Sequence, residues 1–420
     1  MKILVVGSGG REHAIIKKLR ESEGVTDIIC APGNGGIADL AECVSVSATD
    51  IDGMVKLAKE RNVDFAVVAP DDPLAMGMVD RLEEAGIPAF GPDAKAAQIE
   101  ASKVFAKELM QRANIRTAAA EVFTDPDKAK AYIKKTGVPT VIKADGLAKG
   151  KGVIIAQTEK EAEDAVDDML CGGMFGNAGS RIIVEEFLEG TEASIMCFCD
   201  GKTVVPMISS QDHKRQYDGD LGKNTGGMGA FAPTPAYTEE IARDVEENIL
   251  QPTVKAMRDM GCPFKGVLYA GLMLTKKGAY VLEYNARFGD PETQVVLPML
   301  RSDLLKIMQA CREGTLSECD IAWEKGGCCV VVMTSGGYPD KYENGFEIKG
   351  LADAESEKTW VIHAGTKRDG EKMLTSGGRV LGVCAKGDTV LTAVKSAYEA
   401  VEKISFHNAF YRRDIGGKIH

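Results

Sequence analysis

The chain has 420 residues, 44% hydrophobic and 27% charged, which excludes a disordered protein and leaves room for roughly two to four domains. A formal net charge of −11 argues against nucleic acid or an anionic membrane as the main partner, while local Lys and Arg keep small phosphorylated ligands open. Eleven cysteines without a C-x-x-C pair, no leader-like N-terminus and no bilayer-length apolar run lead us to expect a soluble cytoplasmic protein with free thiols.

Ile3 to Val6 predicts a buried strand, and Gly7-Ser8-Gly9-Gly10-Arg11-Glu12-His13 opens a helix continued by Ala14, Ile15 and Leu19. Such a turn offers backbone N–H groups and a positive dipole end to an anion; the alternative is simply a tight βα turn. A dinucleotide fingerprint would need a third glycine at Glu12 and an acid closing the second strand, which ends instead in Cys30 and Ala31. An NAD-dependent oxidoreductase is therefore disfavoured, and a phosphate on a smaller ligand fits better, with Arg11 as a contact. His13 is expected on the helix surface. A second loop, Pro32-Gly33-Asn34-Gly35-Gly36, precedes a helix over Met54 to Lys59. Strand Phe65 to Ala69, loop Pro70-Asp71-Asp72-Pro73-Leu74 and helix Met76 to Ala85 follow. This alternation predicts a parallel sheet over residues 1–100 with all three loops on its C-terminal edge.

Helix Ala101 to Asn114 carries Lys103, and a small α/β unit follows to about residue 190, with strands near 120–123, 140–144, 152–156 and 181–185. Lys143 to Gly152 holds three lysines and three glycines in ten residues: a cationic flap for a polyphosphate, or a solvated turn. Its order is not that of a Walker A loop. Glu185-Glu186-Phe187-Leu188 leaves a strand whose backbone groups could meet an adenine edge, with Glu192 free for ribose hydroxyls; an ordinary linker reads the same way.

Beyond strands 193–199 and 203–208, Gln211-Asp212-His213-Lys214-Arg215 and Asn224-Thr225-Gly226-Gly227-Met228-Gly229 suit a small zwitterion or phosphate. After a helix over 239–260, Val267 to Leu274 and Tyr280 to Asn285 read as a hairpin. Strand alternation places Glu283, Asn285 and Arg287 on one side. A carboxylate beside an amide oxygen suits Mg²⁺, and the Arg287 fork suits phosphate or carboxylate oxygens. A solvated edge strand alternates similarly, but Asp290 and Glu292 in the following turn gather like charge that calls for a charged ligand. A helix over 295–311 comes next. Residues 326–420 read as a separate α+β domain that packs and closes the cleft, without evident chemistry.

Taken in order, these motifs closely resemble the ATP-grasp enzymes of the phosphoribosylamine–glycine ligase family, also called glycinamide ribonucleotide synthetases, of purine biosynthesis. The resemblance implies a Rossmann-like (pre-ATP-grasp) parallel-sheet domain over 1–100, an ATP-grasp small lobe over 101–190, a large lobe over 191–325, and the C-terminal α+β domain. It implies ATP-dependent formation of a glycyl phosphate and its capture by 5-phosphoribosylamine. Glu283 and Asn285 would bind Mg²⁺ or Mn²⁺, and Lys103 and Lys143 the ATP phosphates. Glu185, Glu186, Phe187 and Leu188 would meet adenine, and Glu192 the ribose. Arg287, Asp212 and Lys143 would be catalytic. Gly9, Gly10, Arg11, Asn34, Asp212, Lys214, Thr225, Gly226, Gly227, Met228, Gly229, Arg287, Asp290 and Glu292 would place glycine and phosphoribosylamine. Small molecules are the expected partners of a monomer, with no nucleic acid or membrane. Two departures stand out: Pro70-Asp71-Asp72-Pro73-Leu74 where the family usually has Pro-Glu-Ala-Pro-Leu, and Tyr269-Ala270-Gly271 where many ATP-grasp relatives carry a further metal-binding acid. Another ATP-grasp carboxylate–amine ligase with a different acceptor is the alternative.

Overall fold

The computed structural model describes residues 1–147, 152–172 and 180–417. In the first hundred residues, β1 (Lys2–Gly7), β2 (Asp27–Pro32), β3 (Glu42–Cys43), β4 (Phe65–Val68) and β5 (Ala89–Phe90) form an all-parallel sheet of order β3-β2-β1-β4-β5. Both faces are covered, so Ile3 and Val5 enter one core while Leu4 and Val6 enter another. The loops after β1, β2 and β4 share the C-terminal edge, and chain direction across the sheet reverses between β1 and β4, where such sheets bind ligands. The third loop differs from expectation. Asp71–Ala75 is a short helix behind Pro70, and Gly77, at a φ of 85°, separates it from the Met78–Glu84 helix.

The small lobe is an antiparallel sheet of β6 (Ala120–Phe123), β7 (Thr140–Ala144), β8 (Val153–Ala156) and β9 (Ile182–Glu186), in the order β6-β9-β7-β8. Helices Pro126–Thr136 and Glu159–Leu170 bury Ala129, Ile133, Ala162 and Val166 against Ile142, Ile182 and Val184. The large lobe contributes β10 (Thr191–Asp200), β11 (Val204–Pro206), β12 (Gln211–Asp212), β13 (Arg215–Tyr217), β14 (Leu221–Asn224), β15 (Gly229–Ala232), β16 (Lys265–Thr275) and β17 (Gly278–Asn285). Its main sheet runs β11-β10-β16-β17, and the expected β16–β17 hairpin closes at the Thr275–Gly278 pair. The single helix expected over 295–311 is broken. A short helix, Thr293–Val296, passes into a tight turn holding Pro298, and a new helix, Leu304–Glu313, starts where Asp303 accepts from the Leu305 and Lys306 amides.

The C-terminal part holds β18 (Gly327–Thr334), β19 (Thr359–His363), β20 (Thr366–Asp369), β21 (Lys372–Thr375) and β22 (Arg379–Gly387), with helix Val390–Val401 packed on β18 and β22. Its sheet, β12-β15-β18-β22-β19, joins strands from both sides of residue 326. Among the described residues no helix is long and apolar enough to cross a membrane.

His13 is buried, not on a helix surface, because the C-terminal part covers the helix Gly10–Leu19. Its Nδ1 accepts the His363 backbone N–H at 2.9 Å and the two imidazoles stack, with centroids 5.7 Å apart. Burial, with His363 and Lys17 adding to it, pulls His13 down to about 3; burial pulls His363 down to about 4, opposed by Asp39 and assisted by Arg368. Unfolded histidine titrates near pH 6.5 (about the usual value), so below that pH the unfolded chain binds protons the folded chain refuses. Stability contributed by the neutral pair is therefore lost as pH falls from about 6.5 toward about 4, on the order of 2 kcal/mol per histidine at pH 5. We expect the melting temperature to fall between pH 7 and 5, and the fall to be smaller in His13→Gln, whose amide oxygen can still accept from His363; equal pH slopes would refute the linkage.

Candidate active site

The site begins with an irregularity in β17. Val281 pairs with Leu272 but Glu283 pairs with Gly271, so Leu282 is an extra, bulged residue. Ala279 and Val281 face one core, and after the bulge Tyr284 and Ala286 continue that apolar face. Without the extra residue, strict alternation would send Glu283 into the same core. The bulge instead turns Glu283 and Asn285 outward, and the freed Leu282 carbonyl accepts from Lys143 Nζ at 2.9 Å. Arg287 lies beyond the strand, which ends at Asn285.

Glu283 has no hydrogen-bond partner among the described residues. Burial raises its carboxyl, but Lys214, Lys143, Lys103 and Arg287 outweigh that and hold it below the usual range. These four cations come from both lobes. Arg287 bonds Asn285 Oδ1 at 3.1 Å and Glu100 Oε1 at 2.9 Å, while its buried Nε has no partner among the described residues. Lys103 donates to Gly146 O at 2.8 Å. Lys214 sits 2.8 Å from Glu192 and 3.9 Å from Asp212. Burial, countered by Lys214 and reinforced by Glu292, Glu192 and Glu283, lifts Asp212 to about 7.

The unbonded, ionised Glu283 beside the Asn285 amide oxygen fits a divalent cation with hard oxygen ligands. Among the described residues no group of three His, Cys, Asp or Glu side chains could hold a metal by itself. Mg²⁺ accepts few protein ligands and completes its shell with water and phosphate. The second departure holds in space: Gly271 and Tyr269 lie across from Glu283 and Asn285, so β16 supplies no acid there.

Beneath the cations lies a buried charge network. Glu185 bonds Lys107 at 3.0 Å and Lys143 at 2.9 Å, and Lys107 also donates to Thr117 Oγ1 at 2.6 Å and Ala118 O at 3.1 Å. The Glu185 side chain thus holds Lys143 in place and is not free for a nucleotide. Glu186 Oε1 accepts the Ala119 N–H at 2.9 Å, leaving the edge at Phe187 and Leu188 past the end of β9.

On the opposite side, the turn after β1 meets the turn after β17. Glu12 fills the place of the absent third glycine: it caps the helix from below, bonds Arg11 at 2.7 Å, and would lie 2.6 Å from a Cβ at Gly7. Arg11 reaches Phe288 O at 3.2 Å. Burial would raise Asp71, yet Arg287 and Arg11 hold it low, so the altered third loop still faces this cluster.

Several expected ligand contacts are occupied by protein. Asn34 donates to Ser8 O and His363 O at 2.8 and 2.9 Å and accepts from Gly36 and Ile37 amides, which exhausts its amide. Met228 is fully buried and Gly229 belongs to β15, because both continue into the sheet shared with β18. Thr225 Oγ1 donates to Lys214 O and accepts the Gly227 N–H, and the Gly226 N–H donates to Tyr338 OH at 2.9 Å, so most of this loop's polar groups are bonded within the protein. Glu292 is buried and accepts from Tyr269 OH at 2.6 Å. Asp290 pairs with Arg379 at 3.2 Å and accepts from Gln294 at 2.8 Å. Within the expected flap, Ala148 to Lys151 lie outside the described residues.

Sequence reasoning missed Glu100, Lys107, Tyr269 and Arg379. Lys107 had a signal, one helical turn after Lys103. Arg379 had none; it reaches from the C-terminal part to Gly226 and Asp290.

Two lobes that bring lysines around an ionised acid, behind a parallel-sheet domain, define an ATP-grasp enzyme. A model described as phosphoribosylglycinamide synthetase, ATP-grasp (A) domain, matches residues 101–293, with the N domain matching 1–100 and the C domain 328–418. Biotin carboxylase from Campylobacter jejuni shares the fold alone, with a TM-score of 0.77 at 15% identity over 98% of this chain and 92% of that one. A phosphoribosylamine–glycine ligase of Halalkalibacterium halodurans is 49% identical over 418 residues, covering 100% of this chain and 97% of the relative. The crystal structure of phosphoribosylamine–glycine ligase from Thermotoga maritima aligns with a TM-score of 0.87 at 33% identity, over 99% of this chain and 100% of that one. The chain belongs to the phosphoribosylglycinamide synthetase family.

Removing one partner of a buried ionic network leaves charge uncompensated, at a cost of about 3–5 kcal/mol. Glu185→Gln, which strands Lys107 and Lys143, is expected to lower unfolding free energy by about that much in a urea titration. A loss below about 1 kcal/mol would show that the network carries little stability.

Proposed function

We propose that the chain ligates glycine to 5-phosphoribosylamine with ATP, giving glycinamide ribonucleotide, ADP and phosphate, as a step of purine biosynthesis. The observation that carries this reading is the Glu283 carboxylate, without a hydrogen-bond partner among the described residues and kept ionised by Lys214, Lys143, Lys103 and Arg287. Such a collection suits the triphosphate and its metal; a structural acid would be bonded.

A glycine carboxylate oxygen attacks the γ-phosphorus of ATP, the bond to the β-phosphate oxygen breaks, and ADP leaves. The amine nitrogen then attacks the acyl carbon, phosphate departs with the C–O electrons, and the amine loses a proton. Charge develops mainly on phosphoryl oxygens, so fixed cations and dipoles supply most of the stabilisation. Lys103 and Lys143 hold the phosphates, and Arg287, oriented by Glu100, directs its guanidinium, whose buried Nε has no partner among the described residues, at the reacting carboxylate or phosphoryl oxygens. Asp212 and Lys214 take the zwitterionic glycine end to end. Phe187 and Leu188, past the end of β9, face adenine, the Glu185 carbonyl and the Glu186 N–H being bonded to Thr140 and Ala119, and Glu192, although paired with Lys214, faces the ribose. The Gly9-Gly10 turn with Arg11, and the Gly226-Gly227 tip, approach the phosphoribosylamine.

A divalent ion on Glu283 and Asn285, which we take to be Mg²⁺ with Mn²⁺ as a substitute, would neutralise phosphoryl charge. We assign residues 1–100 to the acceptor, 101–190 and 191–325 to the two ATP-grasp lobes, and 326–420 to closure of the acceptor side. Cytoplasmic residence is supported by eleven free cysteines, and we take the protein to act as a monomer.

ADP release should require glycine, phosphoribosylamine generated in place, and Mg²⁺ together; release without phosphoribosylamine but with another amine would reassign the acceptor. Glu283→Ala should reduce the rate a few hundredfold, about 3–4 kcal/mol of transition-state stabilisation, with an unchanged melting temperature. Activity within about tenfold of the parent would remove Glu283 from that role.

A further inference from the structure

We propose that Arg379, at the start of β22 in the C-terminal part, is a positioning residue that fixes the acceptor-side loops; this rests on the ligase reading above. Its Nη1 donates to the carbonyls of Gly226 and Asp290, the latter at 2.9 Å, and its Nη2 lies 3.2 Å from the Asp290 carboxylate. A Cβ at Gly226 would fall 2.9 Å from the guanidinium carbon, so a glycine there admits the arginine. One planar fork thereby joins the Gly226-Gly227 tip to the Gly289-Asp290 turn.

The connection continues into the N-terminal domain. The second Asp290 oxygen accepts from Gln294 Nε2 at 2.8 Å. That same nitrogen would lie 2.6 Å from a Cβ at Gly10, and Asp290 Oδ2 3.4 Å from one at Gly9. Gln294 Oε1 is buried without a partner among the described residues. Arg379 thus reaches, through Asp290 and Gln294, the turn assigned to phosphoribosylamine, and has no bond to Lys103, Lys143 or Glu283 among the described residues. The acceptors are served from two separate coplanar nitrogens, a spread that a guanidinium fork spans and the single nitrogen of an ammonium does not.

The test compares Arg379→Gln and Arg379→Lys with Arg368→Gln, which breaks another link between the C-terminal and N-terminal parts, the exposed Arg368–Asp39 pair at 2.6 Å. Initial rates of ADP formation would be measured with each substrate varied in turn, alongside thermal melts. Losing hydrogen bonds from a charged donor should raise KM for phosphoribosylamine roughly tenfold or more in both Arg379 variants. KM for ATP should stay within about twofold, and Arg368→Gln should match the parent in both constants. Recovery of the parent KM in Arg379→Lys, parallel changes in both KM values, or an equal effect of Arg368→Gln would overturn the proposal. A parent chain that released no ADP with these substrates would overturn the ligase reading itself and the positioning role with it, whereas an active parent with unselective variants would overturn only the latter.

Discussion

The site depends on one backbone irregularity, the extra residue at Leu282. It exposes a carbonyl that Lys143 captures and turns Glu283 out of an apolar face into a field of positive charge. Lys143 is in turn held by Glu185, and Glu185 by Lys107, all within the small lobe, and the Lys143 bond to the Leu282 carbonyl ties this charged group to the large lobe directly under the cleft. The arrangement separates two jobs that sequence alone merges. Glu185 is a buried acid that fixes a lysine, whereas Glu283 is an acid kept ionised and without a hydrogen-bond partner among the described residues.

Around this centre the three parts of the chain meet through loops. The turn after β1, capped by Glu12, faces the turn after β17; the Asn224–Gly229 loop is continued by a strand of the C-terminal sheet. Asn34 shows the same economy. Its amide joins the first loop to β19, so a residue suited to ligand contact serves the contact between parts of the protein.

Much of this was legible because the carriers were local patterns. The β16–β17 hairpin, the β1 turn, the parallel first sheet and the placing of Arg287 beside Glu283 and Asn285 follow from alternation and glycine placement, whereas it is the family resemblance that places Lys103 and Lys143 at the phosphates. What could not be read depended on contacts between distant segments. His13 looked exposed because nothing near it in sequence foretold the strand that covers it. Met228 sat in a glycine-rich run, yet that run enters a sheet where β15 lies beside β18, a strand that begins about a hundred residues later, at Gly327. Arg379 and Glu100 are single charges in unremarkable surroundings, and only folding gives them partners. The break at Pro298 and Asp303 was written locally, as a helix-breaking residue followed by a cap, and was passed over in favour of hydrophobic spacing.

The sheet that crosses residue 326 bears on how the enzyme is born. A nascent chain that has delivered both ATP-grasp lobes still holds β15 with an unpaired edge, because β18 has yet to emerge. The sheet that joins the ATP-grasp part to the C-terminal part cannot form until that strand arrives, so the two can dock only late in synthesis. The last quarter of the polypeptide thereby decides when this edge is covered.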